Sequence, residues 1–269
     1  SKGWPNKGYF APFGLDGFDN SKEGEYLTDK LTDEAIKYIE KNKEDPFFIY
    51  VSYFAVHDPI QGRKDLVEKY TRKLQNINNF RDLPFILEGN PDDLYKSSKD
   101  ELLKKVRSKG YVNKYQTFDK DLVLIKQYQD NVEFAAMVES VDQSLGKILN
   151  KIKHLNLDEN TIIFFYSDNG GMAAMNGTPW TKLKKSELDG AFSTSNLPLR
   201  GAKGWLYEGG IRVPLIIKNP KTSLTGLESN LPVSSVDILP TILSMVDSNI
   251  KISDDIAVSY THLTLPTKA

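Results

Sequence analysis

Cysteine is absent from the 269 residues, and histidine occurs three times. Without a thiol the chain forms no disulfide, offers no thiolate nucleophile and holds no Cys-ligated zinc. Charge of one sign is lacking too: 35 Lys and Arg stand against 36 Asp and Glu, for a net −1. That balance gives neither nucleic acid nor an anionic membrane surface a reason to bind. No stretch comes near the roughly 18 consecutive apolar residues of a membrane-crossing helix. The opening SKGWPNKGYF is polar and glycine-rich, without a signal-peptide core. Nucleic acid and membrane are therefore not expected as partners, and the sequence carries no reading of oligomeric state. What is present is an ordinary globular balance, 39% hydrophobic and 26% charged. The length suits one large domain, or one with a small appendage.

Periodicity divides the chain. Residues 1–24 are rich in Gly, Pro and aromatics without a period and predict an irregular loop. Leu27, Leu31, Ala35, Ile36 and Ile39 share one helical face, which Asn42 and KNKED bring to an end. PFFIYVSYF at 46–54 predicts a buried strand, followed by His57-Asp58-Pro59, where proline forces the chain out of regular structure. The Lys- and Asp-rich stretch 63–130 predicts an inserted helical excursion. Met137, Val138, Val141, Leu145, Ile148, Leu149 and Ile152 predict an amphipathic helix over 131–153. A turn from Asn156 to Asn160 then leads into a core strand, TIIFFYS. Beyond it, 170–198 is a long loop, LRGAKGWLYEGG stays loop-like, and IRVPLIIKNP predicts another core strand. SSVDILPTILSMVDS predicts a short helix capped by Asp237. The order of elements predicts an α/β fold, a mostly parallel central sheet flanked by helices.

Residues 162–171, IIFFYSDNGG, stop an apolar run at an acid, an amide and two glycines. Asp, Asn and Gly are turn formers, so one reading is a plain turn. The other is a pair of oxygen ligands, Asp168 and Asn169, at the carboxyl end of a core strand, where doubly wound sheets bind their ligands. His57 ends another strand in the same way, and Lys203 lies in the small-residue loop Arg200-Gly201-Ala202-Lys203-Gly204. Together they would offer a hard-cation site, a histidine acid or base and a positive clamp. Such a set suits a tetrahedral oxyanion, whose chemistry is mostly charge stabilisation and proton transfer.

GEYLTDKLTDEAIKYIEKNKEDPFFIYVSYFAVHDPI, FAAMVESVDQSLGKIL, TIIFFYSDNGG and LRGAKGWLYEGGIRVPLIIKNP closely resemble the type I sulfatases of the alkaline phosphatase superfamily. SSVDILPTIL fits the same family's next helix, and the blocks stand in the family's order over roughly 8–256, apart from 63–130. The resemblance implies an enzyme that hydrolyses a sulfate ester with a formylglycine nucleophile and one divalent cation, usually Ca2+. It implies Asp168 and Asn169 as metal ligands, Lys203 on the sulfate and His57 over the same sulfate, binding it or moving protons. Arg200, Glu208 and Arg212 would hold the loop, and Gly209 and Gly210 would let it fold tightly. The substrate implied is a sulfated small molecule or a sulfated carbohydrate, and a periplasmic or extracellular home is common in the family.

The family's Cys/Ser-x-Pro/Ala-x-Arg motif, the source of the formylglycine, does not occur in these residues. Its early paired aspartates and Gly-Lys-x-His block are missing as well. The expectation is a partial sulfatase catalytic domain over 1–256, truncated at both ends and inactive alone, with a helical insertion at 63–130. VSYTHLTLPTKA resembles translated adaptor sequence, so 257–269 is expected to be a non-native tail and His262 carries no role. A phosphodiesterase or phosphatase of the same superfamily is the alternative enzyme, but Asn169 stands where those place a histidine, and one well-placed imidazole suits a two-zinc cluster poorly. A non-catalytic sulfatase-like binding protein is the third reading. Sequencing the upstream reading frame separates them: a Cys/Ser-x-Pro/Ala-x-Arg segment is expected there, and a complete frame without one would favour the binder.

Overall fold

The computed structural model describes residues 8–77, 85–89, 98, 100, 101, 104, 122–173, 193–222 and 225–247. The proposed tail at 257–269, with His262, lies outside the described residues, as do Trp180 and Lys182 of the 170–198 loop. The chain divides into two compact units, Ser1–Pro220 and Lys221–Ala269.

In the first unit, helix α1 spans Leu27–Lys41, with Asp29 in its first turn and Lys41 in its last to complement the helix dipole. It stops at Asn42, whose backbone and side-chain N–H groups both donate to the Tyr38 carbonyl, at 3.1 and 2.7 Å. Its buried stripe is Leu27, Thr28, Thr32, Ala35 and Ile39, whereas Leu31 and Ile36 are only half-buried. Threonine fits this inner face because its hydroxyl can be satisfied locally. Thr32 donates to the Thr28 carbonyl at 2.7 Å.

Helix α2, Lys64–Gln75, packs with α1 against one long helix, α3, which the sequence places almost to the residue at Val132–His154. Asn131 caps α3 by accepting the Phe134 N–H at 3.2 Å. The face that α3 buries overlaps the expected aliphatic one at Met137 and Ile152 only. Ala136, Ser140 and Ser144 form a row of small residues, joined by Met137 and Ile152, while Val138 is 48% exposed. Small side chains let neighbouring backbone come close: a Cβ on Gly62, just before α2, would collide with the Ala136 Cβ and the Glu133 carbonyl. Arg63 adds a polar tie, donating to Asp29 of α1 at 3.2 Å and to Gln143 of α3 at 3.0 Å.

The aperiodic start of the chain supplies the core. Tyr9, Ala11, Phe13 and Leu15 are buried with Tyr26, Leu27 and Met137, and Phe54, Ala55, Val56 and Ile60 pack against them. Aromatic rings reward burial without any regular period. Backbone bonds fix the segment against the entry to α1, with Leu27 N–H on the Tyr9 carbonyl at 2.8 Å and Ala11 N–H on that of Glu25 at 2.9 Å.

The excursion at 63–130 is not wholly helical. After α2 it holds strand β1, Phe85–Gly89, paired antiparallel with β2, Leu122–Lys126. Strand β3, Ile163–Tyr166, pairs with β4, Leu215–Lys218, and this ladder is antiparallel as well, from Ile163↔Lys218 to Tyr166↔Leu215. The α/β class stands, and the two ladders among the described residues are short antiparallel pairs. The reason is local. Chain leaving β3 returns at the same end, where Ser167 N–H reaches the Pro214 carbonyl at 3.3 Å, and a parallel pair would need a crossover to the far end. Residues 46–54 correct another expectation. They join no ladder among the described residues and are not buried on both faces. Phe48 and Tyr50 are 70% and 67% exposed, whereas Phe47, Ile49, Val51 and Tyr53 turn inward. The inner side meets α1, with the Tyr53 hydroxyl 3.0 Å from that of Thr32.

In the second unit, one 3-10 turn, Ser235–Asp237, opens into a short helix, Ile238–Val246. Asp237 is buried in a capping box with Ser234, accepting its backbone N–H at 2.7 Å, as the sequence suggested.

The small-residue row on α3 generates a test. Ser140→Leu should overpack the helix interface and destabilise the protein by about 1–3 kcal/mol. Val138→Lys, one turn-face away, should shift stability by less than about 0.5 kcal/mol. Urea denaturation of both variants measures the difference.

Candidate active site

Strand β3 ends in a compact turn. The Ser167 hydroxyl donates to the Asn169 carbonyl at 3.0 Å, and the Asn169 amide nitrogen donates to the Gly170 carbonyl at 3.1 Å. That leaves the Asn169 side-chain oxygen as an acceptor. Asp168 is exposed, and among the described residues no hydrogen bond or ion pair occupies its carboxylate. Its charge is felt by Tyr166, whose phenol is held above its ordinary pKa mainly by the hydrogen bond it donates to Tyr50, then by burial, with Asp168 adding.

Backbone bonds fasten this turn to the loop that carries Lys203. Gly170 N–H donates to the Gly210 carbonyl at 2.9 Å, and Lys203 N–H donates to the Gly171 carbonyl at 3.0 Å. Within the loop, Gly209 N–H reaches the Arg200 carbonyl at 2.6 Å and Gly210 N–H that of Tyr207 at 2.8 Å. These approaches exclude side chains. A Cβ on Gly170 would strike the Gly209 carbonyl, one on Gly209 the carbonyls of Gly201 and Arg200, and one on Gly210 those of Trp205 and Ala202. Gly209 and Gly210 form part of a single helical turn, α4, Glu208–Ile211, where the sequence suggested plain loop. Arg200 stacks over the Tyr207 ring at 4.0 Å, and Glu208 pairs with Arg212 at 3.2 Å, contacts that stay within the loop.

His57 stands on a separate loop. Its Nδ1 lies 2.5 Å from an Asp58 carboxylate oxygen, and its side chain is 41% exposed. Beneath it is a residue that the sequence did not single out. The buried Tyr9 hydroxyl donates to both the Phe54 and His57 carbonyls, at 2.7 and 2.9 Å, and its backbone N–H donates to the Gln61 side chain at 2.8 Å. Burial pushes the Tyr9 phenol well above its ordinary pKa, so it remains a donor. The structure thus brings Asp168, Asn169 and Lys203 together through direct bonds between their loops. His57 is linked to them through the chain leading up to it, by the Tyr50 contact with Tyr166 on β3. Another missed residue is Asn196, which bridges the two loops.

The donors at the turn are oxygen only, which suits a hard cation such as calcium. They make a partial set: the described residues contain no group of three or more His, Cys, Asp or Glu able to hold a metal ion.

Comparison with known proteins defines the class. The crystal structure of Ps i-CgsB in complex with k-i-k-neocarrahexaose matches with a TM-score of 0.54 and 26% identity, over 88% of this chain and 38% of that one. A sulfatase of Formosa agariphila is 29% identical over 236 residues, 84% of this chain and 31% of that protein. Human steryl-sulfatase is 26% identical over 219 residues, 81% of this chain and 26% of its own. The sulfatase family model matches residues 2–248, and the chain belongs to the sulfatase family. It spans about a third or less of the length of these curated relatives.

The close approach of the glycines predicts a sharp contrast. Gly209→Ala must displace two carbonyls and should lower the melting temperature by several degrees, equivalent to about 1–3 kcal/mol. Gly146→Ala, in open space on α3, should instead stabilise by up to about 1 kcal/mol. Calorimetry of the two variants measures both shifts.

Proposed function

We propose that the whole protein hydrolyses a sulfate ester, and that this chain contributes half of the reacting site. The observation that carries the reading is the interlock of the Asp168-Asn169 turn with the Lys203 loop, where Lys203 N–H is bonded to the Gly171 carbonyl at 3.0 Å. It holds the Asp168 carboxylate, unpaired among the described residues, and a lysine on neighbouring backbone. Membership of the sulfatase family gives that arrangement its chemistry.

In this reading the Asp168 carboxylate and the Asn169 amide oxygen are ligands of one Ca2+, which when bound draws in sulfate oxygens and offsets their charge. Two ligands leave a calcium shell unfilled, so the reading requires carboxylates beyond those of the described residues, and a formylglycine, whose Cys/Ser-x-Pro/Ala-x-Arg source these residues do not contain. Lys203 binds the sulfate and stabilises the negative charge that grows as the sulfur–oxygen bond breaks. His57 serves the same sulfate. The Asp58 carboxylate at Nδ1 orients the ring, and in this reading the protonated imidazole donates Nε2–H to an ester oxygen and passes that proton to the departing alcohol. Tyr9, tied to the His57 carbonyl, fixes the height of that loop.

A sulfated carbohydrate is the substrate class best supported, since Ps i-CgsB holds a neocarrahexaose in its crystal structure. A sulfated small molecule is the other member of the expected set.

Calcium should raise the melting temperature of the complete protein, by the equivalent of about 2.7 kcal/mol at a hundredfold excess over Kd. Asp168→Ala should remove most of that gain. In the complete, matured enzyme, Lys203→Ala should lower kcat on an aryl sulfate by about 10²–10³-fold. Normal turnover by that variant would remove the lysine from the mechanism.

A further inference from the structure

Asn196 touches neither the ester nor the cation in the reading above, yet its side-chain amide reaches three backbones at once. Its Nδ2 lies 2.8 Å from the Gly171 carbonyl, 3.0 Å from that of Gly209 and 3.4 Å from that of Gly201. Gly171 closes the Asp168-Asn169 turn, Gly201 precedes Lys203 by two residues, and Gly209 lies in α4. An amide nitrogen has two hydrogens, so the two shorter contacts are full hydrogen bonds and the third shares a proton.

The residue is itself held in place. Buried Ser193, Thr194 and Ser195 precede it, and Thr194 N–H donates to the Met172 carbonyl at 3.3 Å. The Gln129 amide donates to the Ser195 carbonyl at 3.1 Å from the approach to α3. Its own carbonyl accepts Leu199 N–H at 2.9 Å, starting the turn that leads to Arg200. A half-buried amide anchored on both sides is thus aimed at the seam between the two loops.

Carbonyls that face one another across a seam repel. Gly171 and Gly209 present their oxygens to the same place, and a shared pair of N–H donors converts that repulsion into attraction. No other residue type of this size carries two donors on one uncharged planar nitrogen.

We propose that Asn196 is a positioning residue that sets the separation of Lys203 from the Asp168-Asn169 pair, and that sulfate-ester turnover depends on it. This inference rests on the sulfatase reading for its consequence, though the clamp itself does not.

Two variants test it. Asn196→Asp keeps the shape and replaces both donors with acceptors; Asn196→Ser is a gentler truncation and serves if the first does not fold. Amide hydrogen exchange is followed at Lys203, whose N–H crosses the seam, and at Ala135 and Leu155 at the two ends of α3 as controls. Exchange at Lys203 should accelerate about tenfold or more, with the controls unchanged within about twofold. In the complete enzyme, kcat for p-nitrophenyl sulfate should fall by about tenfold to a hundredfold while KM stays within about threefold. Unchanged exchange at Lys203 overturns the clamp. Accelerated exchange with unchanged kcat overturns its role in turnover, and acceleration at Lys203 and the controls alike marks a general loss of stability and overturns it too. If the unaltered complete protein does not hydrolyse the ester with calcium present, the sulfatase reading fails, and the exchange measurement still decides the clamp.

Discussion

Everything at the site depends on one approach of backbone to backbone, the Gly170 N–H on the Gly210 carbonyl at 2.9 Å. Side chains cannot mediate contact at this range, because an added Cβ on any of three glycines would collide with a carbonyl. What results is a seam of peptide groups between two stretches far apart in the chain. Peptide groups have little freedom once bonded in register, so residues flanking the seam inherit its rigidity. Asp168 and Lys203 are such residues. A carboxylate and an ammonium on long flexible supports would find each other and neutralise; this seam fixes the backbone that carries each.

The helical side of the unit shows how a three-helix contact is made from modest residues. Thr28, Thr32, Ser140 and Ser144 are buried where leucines would have held the helices further apart. The Thr32 and Ser140 hydroxyls, satisfied by the carbonyls of the preceding turn, behave as small core groups. This close packing brings the start of α2 against α3 and seats the segment from Tyr53 to Gln61, on which His57 stands, between the helices and the aromatic N-terminal cluster.

The turn and the loop of the candidate site were legible because short, distinctive words mark them. SDNGG and LRGAKGWLYEGG name the turn, the lysine and the glycines directly, and the two long helices announce themselves by period. Residues that period cannot find were lost. Tyr9 and Phe13 lie in an aperiodic stretch, so nothing marks them as core. A hydroxyl on a helix counts as polar in any pattern, so the buried row of α3 was read one face over. FILEG and LVLIK, embedded in Lys- and Asp-rich sequence, are too short for periodicity to separate strand from helix. An apolar run such as IIFFY says that a strand is there and nothing of its neighbour's direction, which is why the antiparallel ladder went unseen. Asn196 has no signature at all; its role exists only once three distant carbonyls have been brought to one spot.

The antiparallel pairing of β3 and β4 has a mechanical side. Ile163 and Lys218 sit at the open mouth of this hairpin-like pair, and Tyr166 and Leu215 at its throat, next to the bonds from Ser167 to Pro214 and from Gly170 to Gly210. Thermal unzipping begins at a free mouth and advances one rung at a time. Fraying therefore consumes first the end remote from the Asp168 turn and the Lys203 loop, and these two stretches are among the last to part company.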